Sequence, residues 1–324
     1  LTRDKTKNDF IQKEYGLKAV NSLDEMMLDN PDFVVVSIKK GFITPLLLEL
    51  FEKGIPVLCE TPPGESVSDL ENLWNEYTKF NAKVQIAEQY IYQPLYASWY
   101  NAINKGLLGE VENINISSLH GYHGASIIRK FLNAPFNNFV VYGKEHIFNV
   151  QQTMGREGIV QDGQIGSYSR KRLTVEFDNL KTAFFDFADS QYHSFIRTRH
   201  LNVQGTRGEI DDLTIRYLSS KNVPVTQNIN RIDMGVYNNK EWSHLGIMLG
   251  EEFLYKSPFV NARLNDDEIA VATCLLKMKD YLNTGEECYS LKEALQDTYI
   301  SLLMDVAIKN PNHEIKSSKQ IWSK

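Results

Sequence analysis

The sequence predicts an α/β chain in two parts, a doubly wound parallel-sheet domain over residues 1–94 and an α+β domain with a large, mostly antiparallel sheet over residues 95–324. Two observations predict it. Helix and strand signals alternate through the first part, as in a parallel sheet covered by helices. Beyond a helix near 94–106, apolar residues recur at every second position between short polar turns such as Asp178-Asn179, as in an antiparallel sheet with one covered face.

Asp4 is placed to cap a helix carrying Phe10, Ile11 and Tyr15, which Gly16 closes. Ser22 and Glu25 form a capping box over a short helix. Residues 32–38 then read as an almost wholly apolar strand, expected where helices cover both faces. A helix with Leu46, Leu47, Leu50 and Phe51 ends at Gly54, and residues 56–59 form the next buried strand. Ser68 and Glu71 box a helix whose Leu70, Leu73, Trp74 and Tyr77 have helical spacing, and residues 84–87 are the last strand of this run. In the second part Leu173, Val175 and Phe177 alternate with Thr174 and Glu176, and Leu201 and Val203 with Asn202 and Gln204. Residues 181–189 put Ala183, Phe185 and Phe187 opposite Phe184, so bulky groups lie on both faces. One face is expected over the ligand site and the other against a partner subunit, giving a homodimer or homotetramer. Two apolar helices, one with Ile269, Thr273 and Leu276 and one with Leu295, Ile300 and Leu303, close the chain.

Composition narrows the function. A net charge of −6 argues against nucleic acid or an anionic membrane as partner. Cys59, Cys274 and Cys288 are odd in number and lack metal-type spacing, which implies reduced thiols in a cytoplasm and no metal site. No apolar run reaches the roughly 18 residues of a membrane span. There is neither a P-loop nor a G-x-S-x-G elbow.

In doubly wound sheets a ligand lies across the carboxyl ends of the strands, here Ser37-Ile38-Lys39-Lys40 and Glu60-Thr61-Pro62. The stretch DFVVVSI…LLLELFEKGIPVLCETPPG, followed in order by AEQYIYQP, NKGLLGEVENI, GYHGASIIRKFL and GTRGEI, resembles the Gfo/Idh/MocA oxidoreductases over nearly the whole chain. The resemblance implies a Rossmann-type first domain that binds NAD or NADP, and hydride exchange with a sugar- or polyol-like substrate. It also implies an opening strand and GxGxxG loop, roughly 30 residues of family pattern that these residues do not contain. Where the family places a ribose-binding carboxylate stand Thr2 and Arg3, which suit a 2′-phosphate and lean the expectation towards NADP.

Glu60 and Pro62 match the family's EKP motif, but Thr61 replaces its lysine and cannot supply a positive charge or a tunable acid. Lys39 or Lys40 could stand in for it. Gln89 occupies the place of an amide near the nicotinamide ribose. Gly121 and His123 match the motif that carries the family's histidine, while Leu119 stands where its carboxylate would be. An imidazole titrates near neutral pH, so His123 is the expected proton-transfer group, apparently without a local partner to fix its tautomer. Tyr192 and His193 are further catalytic candidates, on a strand expected to run through residues 186–200 with Gln191, His193, Arg197 and Arg199 on one face and Tyr192 and Ser194 on the other. Two other readings remain open: a non-catalytic NAD(P)- or sugar-binding regulatory relative, and a lyase or glycosidase that uses NAD transiently.

Overall fold

The computed structural model describes residues 4–155, 157–235 and 243–323. Three short parallel strands, β1 (Val34–Val36), β2 (Val57–Cys59) and β3 (Val84–Ile86), lie in the order β1-β2-β3. Helices α1 (Lys5–Tyr15), α2 (Leu23–Met27), α3 (Ile43–Glu52) and α4 (Val67–Phe80) precede or connect them. The Asp4 side chain accepts from the amides of Thr6 and Lys7 to start α1, and Gly16 ends it in the left-handed conformation. Ser22 caps α2 by accepting from the Glu25 amide.

Two expectations shift here. The strand expected over 32–38 is only β1. It is an edge strand among the described residues, and Val35 on one face is exposed, so only Val34 and Val36 are buried. The box expected from Ser68 and Glu71 lies two residues earlier: Ser66 accepts from the Asp69 amide, and Asp69 accepts from the Glu65 amide. Either serine satisfies the cap pattern, and the tight packing of Gly64 against Leu70 and Asp69 selects the first.

A single turn at Tyr90–Tyr92 and helix α5 (Pro94–Asn104) lead to the second part. Its strand β4 (Val111–Ser117) is followed by helix α6 (Gly121–Leu132) and then by β5 (Phe139–Gln151), the hairpin β6 (Met154–Gly155) and β7 (Gly158–Ile159), β8 (Ile165–Phe177) and β9 (Thr182–Ala188). After these come β10 (His200–Gly205), β11 (Gly208–Asp211), β12 (Thr214–Leu218), β13 (Pro224–Met234), β14 (Ser243–Leu249) and β15 (Glu252–Lys256). Helices α7 (Asp266–Thr284) and α8 (Leu291–Lys309) and the short β16 (Ile315–Lys316) end the fold. Eleven strands form one sheet, ordered β15-β14-β13-β12-β11-β10-β4-β9-β8-β5-β16, antiparallel except where β4 and β9 run together. The expected alternation holds. Ala183, Phe185 and Phe187 are buried under the helices, while Phe184 on the opposite face is 45% exposed.

The two sheets share one hydrophobic core. Cys274 and Met278 of α7 pack against Leu58 of β2, and the fully buried Gln85 of β3 accepts from the amides of Cys288 and Tyr289. Residues far along the chain thus cover the parallel sheet, and α8 runs from that contact across α6.

The strand expected through 186–200 stops at Ala188. Gln191 is buried instead of alternating: its Oε1 accepts from the Ala188 amide and its Nε2 donates to the carbonyls of Ser117 and Thr198. A side chain able to satisfy that many backbone groups makes a turn cheaper than continued strand. The parity argument for His193, Arg197 and Arg199 falls with it.

Candidate active site

A cavity of about 540 Å³ opens at the carboxyl ends of the parallel strands. Lys40 and the Thr61-Pro62 turn form its first-domain wall, and the start of α6 contributes His120 to His123. Ser167, Ser169 and Lys171 of β8 and Phe185 and Phe187 of β9 line the sheet side, with Asp189 beyond them and Ser301 and Asp305 of α8 completing it. The Thr61-Pro62 peptide is cis.

Two glycines set α6 in place. A side chain at Gly124 would meet the Phe185 ring at 2.6 Å, and one at Gly121 would meet the Ser301 hydroxyl at 2.7 Å. The helix start is therefore wedged between β9 and α8, which fixes where His123 lies. That imidazole is 6% exposed, and its Nδ1 lies 2.8 Å from Oε2 of Glu88, which is fully buried at the end of β3. A carboxylate only accepts, so Nδ1 donates and Nε2 is left as the free nitrogen of the ring. The orienting carboxylate that the sequence lacks at Leu119 is thus supplied from the other domain. Leu119 itself is fully buried in the core. Glu88 went unnoticed in the sequence, although a charged residue directly after an apolar strand was a usable signal.

His120 was also left without a role. Its Nδ1 lies 2.5 Å from the Tyr192 hydroxyl, and its ring centroid is 4.9 Å from that of His123. Enclosure in the cavity wall, with His123, Lys40 and Lys171 adding positive charge nearby, pushes its pKa down to about 4. His120 is therefore neutral near pH 7. Burial raises the pKa of Tyr192, whose ring is covered by the Arg199 guanidinium at 4.9 Å. Tyr192 reaches the site through His120. His193 is exposed and does not line the cavity.

At the first domain's strand ends, Ser37, Ile38 and Lys39 are exposed, and Lys40 rather than Lys39 lines the cavity. The Thr61 hydroxyl donates to Oε1 of Glu60 at 3.1 Å, so its hydrogen is already engaged. Thr2 and Arg3 lie outside the described residues. A nicotinamide nucleotide fits this end of the sheet on one direct observation: Oε1 of Gln89 is buried without a partner among the described residues, an acceptor that a bound hydroxyl or amide would satisfy. Lys171, paired with Asp305 at 2.7 Å, adds a charge pair that no local motif announced. Among the described residues no His, Cys, Asp and Glu group is arranged to hold a metal ion, and no helix is long and apolar enough to cross a membrane.

A second cavity of about 430 Å³ on the open face of the sheet is lined by Arg170, Arg172 and Arg197 with Asp186. Arg170 and Asp186 are already paired there, and the strand ends do not reach it.

Comparison with known proteins bears on the fold and the nucleotide-binding part. Residues 1–88 match a family model described as an oxidoreductase family with an NAD-binding Rossmann fold. The oxidoreductase YteT of Bacillus subtilis (strain 168) is 26% identical over 113 residues, 34% of this chain and only 26% of that protein's length. Among solved structures, an oxidoreductase from Agrobacterium radiobacter in complex with NAD+, L-tartaric acid and magnesium superposes with a TM-score of 0.67 at 13% identity, covering 97% of this chain and 89% of that one. An aldose-aldose oxidoreductase from Caulobacter crescentus complexed with glycerol gives 0.62 at 15% identity, with 97% and 89% covered. Apo scyllo-inositol dehydrogenase from Lactobacillus casei gives 0.63 at 14%, with 97% and 88% covered. At such identities the structures establish the shared fold, and the family model establishes the nucleotide-binding part. Residues 1–88 thus carry the NAD-binding part of the Gfo/Idh/MocA oxidoreductase family, and the rest of the chain shares its fold with oxidoreductases of known structure.

Proposed function

We propose that this protein exchanges hydride between NAD or NADP and a hydroxyl-bearing carbon of a sugar- or polyol-like substrate. The observation that carries the reading is the Glu88–His123 pair, a buried imidazole with one nitrogen fixed and the other free, in a cavity at the carboxyl end of a nucleotide-binding sheet. A bound nicotinamide supplies the hydride acceptor or donor. Ser37, Ile38, Lys39, Glu60, Thr61, Pro62 and Gln89 would border it.

The chain's own work is positioning and proton transfer. In the oxidation direction the free Nε2 of His123 takes the hydroxyl proton, and the hydrogen bond to Glu88 stabilises the imidazolium that results. Thr61 holds Glu60 and transfers nothing. Ser167, Ser169 and Ser301 offer hydroxyls to a many-hydroxyl substrate, and the rings of Phe185 and Phe187 exclude water beneath it. The aldose and inositol enzymes among the relatives of similar fold support that substrate class.

Incubation with NAD+ or NADP+ and a panel of aldoses and inositols should yield net reduced nucleotide, read by absorbance. Nucleotide binding without turnover would replace this reading with a regulatory role. Product formed without net reduction would point to a lyase or glycosidase using NAD transiently. The open sheet face bearing Phe184 is proposed to meet a second subunit.

A further inference from the structure

Two imidazoles line the same cavity, and their hydrogen bonds give them opposite polarity. Nδ1 of His123 faces a carboxylate, so it carries the hydrogen and Nε2 presents a lone pair. The Tyr192 oxygen accepts from the His120 backbone N–H at 3.1 Å. The closest hydrogen-bond partner of that hydroxyl among the described residues is Nδ1 of His120, 2.5 Å away, so the Tyr192 hydrogen goes to it. Nδ1 of His120 is then the acceptor, and its hydrogen sits on Nε2. Neither Nε2 has a protein partner among the described residues, and neither ring is sealed from the cavity.

We propose that His120 is a second catalytic residue, a neutral Nε2–H donor to the same substrate oxygen that His123 deprotonates. The proposal rests on the hydride-exchange reading above. As the hydroxyl proton moves to Nε2 of His123, negative charge builds on that oxygen until the carbonyl forms. The electron pair of the carbinol C–H goes to the nicotinamide oxidant, and the proton stays on His123. His120 keeps its own proton throughout and stabilises the oxygen by a pre-oriented hydrogen bond. This is the task a cation at position 61 would perform, and Thr61, with its hydrogen engaged by Glu60, does not perform it. A low imidazole pKa favours the role, because a protonated His120 beside Lys40 and Lys171 would repel the charge that His123 must take up.

Two-bond proton–nitrogen NMR spectra of the whole protein at pH 7 test the assignment without turnover. His120 should show the Nε2–H tautomer and His123 the Nδ1–H tautomer, and Tyr192→Phe should disturb only His120. A protonated or Nδ1–H His120 overturns the proposal. Adding myo-inositol with nucleotide should shift both Nε2 signals, and a shift at His123 alone also overturns it. In turnover, His120→Phe should lower kcat about 10²-fold, the usual effect of losing one such donor, with nucleotide affinity unchanged. His120→Gln, whose amide can still donate, should recover at least part of the loss, and normal turnover in both variants sinks the idea. Wild-type protein that shows the tautomers and the paired inositol shift but makes no reduced nucleotide would defeat the hydride reading and leave the donor–acceptor pair standing.

Discussion

Helix α6 treats its polar groups in opposite ways at its two ends. At the carboxyl end Arg129 is 2% exposed and each of its three nitrogens donates to a protein oxygen. Nε donates to Asp297 at 2.7 Å, Nη2 to the Glu293 side chain at 2.8 Å and to its carbonyl at 3.0 Å, and Nη1 to the Pro135 carbonyl. Tyr289 donates to the other oxygen of Asp297. These carboxylates hold the guanidinium charged and raise its pKa despite burial. At the amino end His120 and His123 each have one nitrogen engaged and one left over. A closed network fixes the helix, whereas leftover valences beside a cavity mark where a ligand is expected. Buried polarity alone does not distinguish structure from function; the count of unused donors and acceptors does.

That contrast can be broken from either end. His123→Asn should lower kcat by about 10²–10⁴-fold while nucleotide affinity and thermal stability barely change, and steady-state kinetics beside calorimetry would check both. Arg129→Met should do the reverse in kind. It leaves Asp297 and Glu293 without their cation, so denaturant titration should show a loss of about 3–5 kcal/mol. If Arg129→Met instead lowered turnover at full stability, the division between the two ends would be wrong. Thr61→Ala removes one hydroxyl hydrogen bond to the half-buried Glu60 carboxylate and no group that touches the reacting atoms, so its effect on kcat should stay within about tenfold, or roughly 1.4 kcal/mol.

The smallest expected effect is acid sensitivity at the amino end. The folded pKa of His120, about 4, lies below the ordinary value of 6.5, so the folded state binds fewer protons between those limits. The stability tied to this neutral ring is present above pH 6.5 and is lost as pH falls towards 4. Melting temperatures taken across that window should fall less steeply for His120→Gln than for wild type. Parallel curves would show that His120 does not titrate as described.

Much of the fold was legible because its cues are local. Asp4 and Gly16 bracket α1 as read, and Ala183, Phe185 and Phe187 share one face of β9 as their alternation with Phe184 predicts. The site was legible only where it followed one segment, as with His123 and its GYHG context. Glu88 acts on His123 across 35 positions of sequence, and Lys171 meets Asp305 across 134, separations at which spacing carries no signal. The local reading of residues 186–200 failed for a related reason: Gln191 spends its amide on Ser117, 74 positions away.

The docking of Gln85 onto Cys288 and Tyr289 joins residues more than 200 positions apart, and α8 then carries Ser301 and Asp305 to the cavity. Contacts of such long sequence separation form slowly, because their loop entropy must be met before they stabilise anything. During synthesis the parallel strands emerge first and wait with part of their surface uncovered. The cavity cannot exist until residue 305 has left the ribosome, so a nascent chain stalled earlier would hold its strands and both histidines but have no enclosed place to put a substrate.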